Sequence, residues 1–431
     1  MMISEATWRF VREHANDDVR RLALQGSRDK EVDMVMALQQ IQGRQAARRK
    51  LPSWAEKEGI VYPSHLSMEQ CSSEATARYK ARVAASLDEH HTLIDLTGGF
   101  GVDFAFMSEA YAEAIYVEQQ PQLCDVVAHN LAILYPKVAK FRTETADVSG
   151  GKFHIKTADG VAFLRQMPPG RASLIFLDPA RRDDHGGRTY GIGDCTPNVL
   201  PLMDELLRKA SHVMLKLSPM LDWRKAVSDV GREHVEQVHI VSVANECKEL
   251  LLLLSAEGST APQLFCVNDG SIEQFPLDAS APSSQNTPLT PLASSLQSAT
   301  YLYEPNASLM KAGFFGALAR RYGLDSTAQN SHLYVSSQLV EHFPGRIFRI
   351  VDVTTMNRRE LKAKVEPLRQ ANISTRNFPL SVAELRRRLK LGEGGSHYLF
   401  ATTLANGEHV LIICQRVFQV KSEELRVKSE E

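Results

Sequence analysis

The chain has 431 residues, 43% of them hydrophobic and 23% charged, with a formal net charge of −1. This length predicts two to four domains, each large enough to bury a core. The balanced charge excludes a global basic field, so a nucleic-acid partner would have to be bound by local patches.

The six cysteines form no Cys-x-x-Cys pair. This argues against a zinc site and a disulfide framework, and we expect no metal.

The N-terminus carries acidic residues and lacks the apolar segment of a signal peptide. The longest apolar run, Leu250 to Leu254, has the length of a strand and falls short of the ~20 residues that span a membrane. We therefore expect a cytoplasmic protein without a membrane partner. The oligomeric state is left open.

Residues 1–85 are predicted to be helical. Apolar side chains recur at helical spacing in EVDMVMALQQIQ, and runs of alternating β-branched residues are lacking. Pro52 and Pro63 should divide this region into short helices.

From Thr92 onward, short apolar strands alternate with amphipathic segments, a pattern typical of βαβ units and a parallel sheet. The predicted strands are 92–97, 114–118, 153–157, 173–178, 212–217, 237–243 and 248–254. Helices should follow the first five strands. Only Ala244 to Cys247 separate the last two, so these should form an antiparallel hairpin. This order predicts an α/β fold with a Rossmann-like methyltransferase sheet, since a dinucleotide-binding dehydrogenase would not need the hairpin.

The chain after this sheet is predicted to hold two small modules and a charged tail. Residues 277–298 are rich in Ser, Pro and Thr, which indicates a linker or a surface loop. In the last module, strands are expected in RIFRIVDV and in HYLFATTL and HVLIICQRV, the latter two joined across Asn406-Gly407. The predicted parts are a helical region (1–85), a methyltransferase domain (86–262), a small module with its linker (263–342), an α+β module (343–420) and the tail (421–431).

A glycine-rich turn follows the first predicted strand. In LIDLTGGFGVD, the strand ends in Asp95 and leads into a helix through Gly98, Gly99 and Gly101. Glycines let the backbone turn tightly and approach a ligand, and the helix N-terminus offers N–H groups to an anionic end such as the methionine carboxylate. The spacing matches neither the Gly-x-Gly-x-x-Gly of NAD sites nor a P-loop. Taken alone, the motif is equally consistent with a structural turn.

Acidic residues end the next three strands as well. Glu118 stands 23 residues after Asp95, where it can accept hydrogen bonds from both ribose hydroxyls. Asp159 is predicted within reach of an adenine amino group, and Asp178 follows the fourth strand. Such sheets bind ligands at the carboxyl ends of their strands. Any one of these residues could be an ordinary polar strand end, but four in register favour an S-adenosylmethionine site.

The sequence Asp178-Pro179-Ala180-Arg181 occupies the position where methyltransferases of exocyclic amines carry Asp/Asn-Pro-Pro-aromatic. A carboxylate there accepts hydrogen bonds from the amine and aligns its lone pair, because methyl transfer needs in-line geometry more than a strong base. Arg181 could stack on a base or contact a phosphate in place of the missing aromatic ring. The identity of the methylated atom is therefore left open.

The following polar loop, 182–198, could close over a substrate, and Tyr190 could supply the missing ring. Cys195 could act as a nucleophile for pyrimidine C5 methylation. An ordinary thiol is favoured, because no paired base is visible. His185 is interpreted as a solvated loop residue.

Basic residues cluster at two places. The stretch GRQAARRK puts arginines on one face of a helix, although a solvated face is equally consistent. From Phe343 to Gln419 there are 13 Lys and Arg against 6 Asp and Glu, a surplus of 7, which favours contact with an RNA backbone. The candidates for RNA contact are Arg44, Arg48, Arg49, Arg386, Arg387 and Arg388.

Several longer stretches complete the pattern: QIQGRQAARRKLPSW, GIVYPSHLSMEQCSSEATARYK, IDLTGGFGVD, LDPARR, YEPNASLMKAG and PGRIF. In these, over nearly its whole length, the chain resembles the bacterial class I S-adenosylmethionine-dependent methyltransferases with a C-terminal THUMP-like domain, a family represented in Bacteroidetes. The resemblance implies that the module at 263–342 is ferredoxin-like and that 343–420 is the THUMP-like domain. Because true THUMP domains bind tRNA, it also suggests, by analogy, methylation of RNA.

We therefore predict an S-adenosylmethionine-dependent methyltransferase that acts on a base of structured RNA, either tRNA or rRNA. Asp178 and Arg181 would orient the base. The predicted cofactor-binding residues are Asp95, Thr97, Gly98, Gly99, Gly101, Glu118 and Asp159. A methyltransferase of proteins or small molecules, and a non-catalytic RNA-binding protein with a relic cofactor site, are the alternatives.

Overall fold

The computed structural model describes residues 3–27, 29–137, 141–142, 152–181, 191–280, 296 and 299–418, with only the backbone described at 141–142, 181 and 279–280. The predicted tail and most of the predicted linker lie outside these residues. Contacts within the chain define two compact units, Met1–Val243 with Lys248–Leu264, and Ala244–Cys247 with Phe265–Glu431. Among the described residues, no helix has the length and hydropathy needed to cross a membrane.

The N-terminal part of the first unit is helical, as predicted. Its helices are α1 (Glu5–Glu13), α2 (Val19–Gln25), α3 (Met34–Lys50), α4 (Pro52–Ala55), α5 (His65–Gln70) and α6 (Glu74–Ala85). Side-chain oxygens of Ser4, Asp18, Asp33 and Ser73 accept backbone N–H groups at four of the N-termini, which is why these helices begin where they do. Val11, Leu22 and Ile41 pack together beneath the first three helices.

A parallel sheet follows, built from the alternation that the hydrophobic pattern predicted. Its elements are β1 (Thr92–Asp95), α7 (Val102–Met107), β2 (Glu113–Glu118), α8 (Pro121–Leu134), β3 (Phe141–Arg142), β4 (Phe153–Thr157), α9 (Gly160–Gln166), β5 (Ala172–Leu177), β6 (Ala180–Arg181), β7 (Cys195–Thr196), α10 (Met203–Lys209), β8 (Ala210–Leu217), α11 (Trp223–Val230), β9 (Val235–Val243) and β10 (Glu246–Leu254). The small strands β6 and β7 pair with each other outside this sheet.

The strand order in the first unit is β9-β10-β8-β5-β1-β2-β4-β3. The central strands are parallel, whereas β10 runs antiparallel to β8. The closing hairpin turns through Ala244 and Asn245, whose φ angles of 51° and 60° suit a two-residue turn. The predicted methyltransferase sheet is thus confirmed. Its crossovers bring the carboxyl ends of β1, β2, β4 and β5 to one edge, where the candidate site lies.

The second unit contains a mixed sheet. Its elements are β11 (Gln263–Asn268), β12 (Ser271–Pro276), β13 (Tyr301–Pro305), α12 (Ala307–Ala312), α13 (Phe315–Tyr322), β14 (Asp325–Ser326), β15 (Tyr334–Ser336), β16 (Gly345–Thr355), α14 (Arg358–Lys364), β17 (Asn372–Arg376), α15 (Val382–Leu389), β18 (His397–Thr403) and β19 (His409–Val417). Seven of these strands form the mixed sheet, in the order β14-β15-β13-β16-β19-β18-β17, and β11 and β12 are not part of it.

One sheet therefore joins the two small modules that the sequence suggested, because β13 pairs with β16 from Tyr301 to Pro305. Leu302, Phe348 and Phe400 belong to one hydrophobic cluster of this unit, whereas Leu385 and Leu399 belong to another. The exact division of the chain into five parts stays a proposal.

Candidate active site

The turn after β1 depends on its glycines for steric reasons. Gly99 and Gly101 have φ angles of 55° and 72°, in the left-handed region that favours glycine. A Cβ at Gly98 would lie 2.2 Å from the ring of Tyr116. The Tyr116 hydroxyl in turn donates to the carbonyl oxygen of Gly99 at 2.5 Å. The aromatic ring on β2 thus supports the loop from below and fixes its conformation.

Glu118, at the end of β2, connects the glycine turn to the start of α8. Its carboxylate accepts the N–H of Gly99 through Oε2 and the N–H of Gln120 through Oε1, both at 2.9 Å. The side chain is half-buried. Each carboxylate oxygen has a further lone pair, so Glu118 is held in place and can still accept hydrogen bonds from ligand hydroxyls.

Asp95 is almost entirely buried, with 1% of its surface exposed. Thr97 donates its backbone N–H to Asp95 Oδ1 at 2.9 Å. Burial is the main cause that raises the pKa of Asp95 to about 8, and the nearby carboxylates of Asp103 and Asp178 raise it as well. A cationic group bound beside Asp95 would favour its ionised form and lower this pKa.

These residues line one cavity of about 620 Å³, a size typical of small-molecule sites. It brings together the following residues predicted from the sequence: Asp95, Thr97, Gly98, Gly99, Gly101, Glu118 and Asp178. The N-terminal helical region also contributes to the wall, through Ser67, Gln70, Cys71 and Ser72. This contribution was not predicted from the sequence.

A chain of alternating charges extends from this cavity into the core. Lys216 on β8 donates to Asp178 Oδ2 at 2.5 Å and lies 3.8 Å from Asp103. Lys80 on α6 lies 3.2 Å from Asp103 and donates to both oxygens of Glu249, at 2.7 and 2.6 Å. The order of charges is thus Asp178, Lys216, Asp103, Lys80 and Glu249, and each of the inner three lies between two charges of opposite sign. Through Lys216, the Asp178 carboxylate is held by this buried chain.

The two lysines determine how the buried carboxyl groups titrate. Burial alone would raise the pKa of Asp103, but the charges of Lys80 and Lys216 outweigh it and lower the pKa. For Glu249, burial dominates and raises the pKa despite Lys80. Lys216 is the reverse case, since burial lowers its pKa but Asp178 and Asp103 outweigh this and raise it. Lys216 therefore stays protonated beside Asp178.

Asp159 is placed differently from its neighbours. Its Oδ1 accepts the N–H of Ala162 at the start of α9, and its Oδ2 accepts a hydrogen bond from Gln119 at 2.6 Å. It is exposed and is not among the residues that line the cavity. The next residue, Gly160, is required for packing, since a Cβ there would lie 2.1 Å from the carbonyl oxygen of Leu96. A role of Asp159 toward adenine stays a prediction.

The residues after Asp178 are described in part. Pro179 and Ala180 line the cavity, while only the backbone of Arg181 is described, paired with Cys195 across β6 and β7. Cys195 is buried, with 3% of its surface exposed, which does not suit attack on a substrate. His185, Gly186, Gly187, Arg188 and Tyr190 lie outside the described residues.

The basic residues selected from the sequence lie on two helices. Arg48 and Arg49 are exposed on α3, and Arg44 is half-buried there. On α15, Arg387 and Arg388 are exposed. Arg386 differs from these two, because its Nη1 donates to the carbonyl oxygens of Ala371 and Gly392 and so holds the helix in the fold.

Sequence reasoning missed Lys80, Lys216, Asp103 and Glu249. A signal was present for two of them, since Lys216 interrupts the apolar strand MLKL and Glu249 directly precedes five leucines. A charged residue inside a strand that is buried on both faces requires a partner. The pattern could have indicated that need, but it could not have identified the partner.

Comparisons with known proteins agree with this geometry. A model of the ferredoxin-like domain matches residues 301–344, and a model described as THUMP domain-like matches residues 345–416. Among curated proteins, none matches at a significant level. Many solved structures do match. The strand order, the site and the C-terminal match together define a class I methyltransferase with an accessory THUMP-like domain.

One similar structure is that of a candidate methyltransferase from Porphyromonas gingivalis W83, with 31% identity, a TM-score of 0.79, and coverage of 97% of this chain and 100% of that chain. The chain belongs to this family, the bacterial class I S-adenosylmethionine-dependent methyltransferases with a C-terminal THUMP-like domain. This confirms the resemblance predicted from the sequence.

Two other matches are more distant. The first is an S-adenosylmethionine-dependent methyltransferase from Agrobacterium tumefaciens, with 18% identity, a TM-score of 0.23, and coverage of 33% of this chain and 42% of that chain. The second is an rRNA methylase from Streptococcus thermophilus, with 13% identity, a TM-score of 0.28, and coverage of 43% of this chain and 95% of that chain.

Proposed function

We propose that the protein transfers a methyl group from S-adenosylmethionine to a nitrogen of a base in structured RNA. The observation that carries this proposal is the cavity that Asp95, Glu118 and Asp178 line together. Two of these carboxylates follow neighbouring parallel strands, and the third begins the Asp-Pro-Ala-Arg sequence. Cofactor binding and substrate orientation can therefore take place in one cavity.

The donor set fits this cofactor. The carboxyl groups of Asp95 and Glu118 can accept hydrogen bonds from an ammonium group and from ribose hydroxyls, and a bound ammonium group would favour the ionised form of Asp95. The glycine turn leaves room for a close approach to the backbone at Gly99, where a Cβ would meet no atom nearer than 3.7 Å. When bound, S-adenosylmethionine supplies an electrophilic methyl group on its sulfur.

Asp178 would orient the target amine. Lys216 holds Asp178 Oδ2, and the backbone N–H of Asp178 donates to Thr97 Oγ1 at 2.7 Å, so both the side chain and the main chain are fixed. Oδ1 then remains to accept a hydrogen bond from an amino group. The contribution of Asp178 is then orientation of the nitrogen lone pair, since methyl transfer needs in-line geometry more than a strong base.

The RNA part of the proposal is supported by the match of residues 345–416 to the THUMP domain-like model and by the exposed Arg387 and Arg388. Replacing these two arginines by alanine should weaken binding of tRNA or rRNA fragments and reduce its salt dependence. Each lost phosphate contact on single-stranded RNA contributes about 0.7 to the slope of log K against log salt. Arg386 is left unchanged in this test, because its loss would disturb the fold.

The reaction is tested with the purified protein, S-adenosylmethionine and RNA from cells that lack this protein, followed by mass spectrometry of the nucleosides. Asp178→Ala should abolish turnover and leave cofactor affinity nearly intact, since it removes the hydrogen-bond acceptor that would orient the base. Asp204→Ala, at an exposed residue on α10, makes the same change of charge and is the control. Wild-type turnover in Asp178→Ala would contradict the proposed site. A protein that binds cofactor but methylates no RNA would contradict the substrate.

A further inference from the structure

The second unit has a cavity of its own, of about 450 Å³. It lies among the ends of β13, β16 and β17, helix α12 and the turn that contains Asn245. Its lining residues are Asn245, Glu304, Pro305, Ala307, Met310, Lys311, Arg346 and Arg376. Five of these eight come from the stretch YEPNASLMKAG, which neither the glycine turn nor the methyl-transfer site explains.

Glu304 is the centre of this cavity's charge arrangement and has only 2% of its surface exposed. Arg346 donates to Glu304 Oε2 through Nε at 2.6 Å and through Nη2, and Arg376 Nη2 donates to Oε1 at 2.9 Å. One carboxylate thus faces two guanidinium groups. With Lys311 the lining carries three positive charges and one negative charge, a surplus of two.

The two arginines are held in advance of any ligand. Both guanidinium planes are fixed by the buried Glu304, and about a third of each side chain remains exposed. Within the described part of the chain, Arg376 Nε is buried and has no hydrogen-bond partner. Guanidinium groups whose positions are fixed suit tetrahedral oxyanions, because their planar N–H donors match pairs of oxygens and little side-chain entropy is lost on binding.

We infer that this cavity binds a phosphate group of the RNA substrate, separate from the site of methyl transfer. The inference rests on the proposed function for the source of the phosphate, and on Glu304, Arg346, Arg376 and Lys311 for its chemistry. The same groups would accept a free phosphate ester, so the experiment must distinguish an RNA phosphate from a free one.

The experiment measures binding of a fluorescent single-stranded RNA oligonucleotide to the full-length protein by anisotropy at several salt concentrations, with inorganic phosphate as competitor. Lys311→Gln leaves the Glu304 ion pairs intact, and Arg376→Gln leaves Glu304 with Arg346. Arg349→Gln, an exposed residue on the same strand as Arg346 and outside the cavity, makes the same change of charge as a control. Thermal denaturation verifies that each variant is folded.

We expect Arg376→Gln to weaken RNA binding about tenfold and Lys311→Gln about three- to tenfold, each with a salt slope shallower by about 0.7. Arg349→Gln should bind nearly as the wild type does, and inorganic phosphate should compete less well in the two cavity variants. RNA affinities equal to that of Arg349→Gln would overturn the inference. A different result would be that inorganic phosphate raises the melting temperature of the wild type but not of the two cavity variants, while the RNA affinity of these variants is unchanged. The cavity would then bind a free phosphate, and its assignment to RNA would be wrong.

The outcomes also separate this inference from the proposed reaction. Weakened RNA binding in the cavity variants, together with no methylation of any RNA by the wild type, would refute the reaction and support the phosphate site. Normal methylation with unchanged RNA affinity in both variants would refute the phosphate site alone.

Discussion

Lys80→Met removes the positive charge between Glu249 and Asp103 in the buried chain of charges that ends at Asp178. The Lys80 side chain has no exposed surface, its Nζ is bonded to both oxygens of Glu249, and it lies 3.2 Å from Asp103. Methionine keeps the length and flexibility of the side chain, so the effect is mainly electrostatic. Two buried carboxyl groups lose their common cation, and removing one partner of a buried ion pair costs about 3–5 kcal/mol.

The free energy of unfolding is measured at pH 7 by denaturant titration of the full chain, with circular dichroism as the signal. A loss of this size should lower the melting temperature by roughly 6–20 °C, at about 2–4 °C per kcal/mol for a domain of this size. The double variant Lys80→Met/Glu249→Leu should recover part of the loss, because one orphaned carboxyl group is removed. A single variant within about 1 kcal/mol of the wild type would refute the stabilising role of this network.

Three further changes test the cofactor end of the cavity. Glu118→Ala should weaken S-adenosylmethionine binding by about 1.5–3 kcal/mol, which calorimetry would register as a roughly ten- to hundredfold rise in Kd. The pKa of Asp95 is raised to about 8 in the folded state, so the folded protein holds this proton at pH values where the unfolded chain has lost it. The contribution of Asp95 to the free energy of unfolding is therefore fully present below about pH 4 and is lost as the pH rises to about 8. Asp95→Asn should remove that part of the pH dependence in denaturation curves. Gly98→Ala should cost about 1–3 kcal/mol in thermal unfolding, since its Cβ meets the Tyr116 ring.

Much of the first unit's architecture could be predicted from the order of residues alone. The seven predicted strands correspond to β1, β2, β4, β5, β8, β9 and β10, which were recognisable as short apolar runs because this pattern is a local property. The two-residue strands β3, β6 and β7 are too short to produce such a pattern and were not predicted. The convergence of Asp95, Glu118 and Asp178 also followed, since parallel strands with helical crossovers bring their carboxyl ends to one edge of the sheet. The observed strand ends differ from the predicted ones by only a few residues.

Asp159 shows where this reasoning stops. A carboxylate after a strand can face the ligand or cap the next helix, and both positions look the same in sequence. The hydrogen bond from the N–H of Ala162 shows that Asp159 caps α9, and its contact with adenine stays a prediction. Arg386 is a second case, because only the hydrogen bonds from its Nη1 to the carbonyl oxygens of Ala371 and Gly392 distinguish it from Arg387 and Arg388.

Only the tertiary structure decided the environment of the buried charges and of the second cavity. Lys80 and Glu249 are 169 residues apart, and Glu304 and Arg376 are 72 residues apart. No local sequence pattern relates such pairs. Desolvation makes a partner necessary for each buried charge, but any distant element of the chain can supply that partner. Composition and periodicity therefore determined which elements form and which strand ends carry acids, while the packing of those elements determined which charges meet and where the cavities lie.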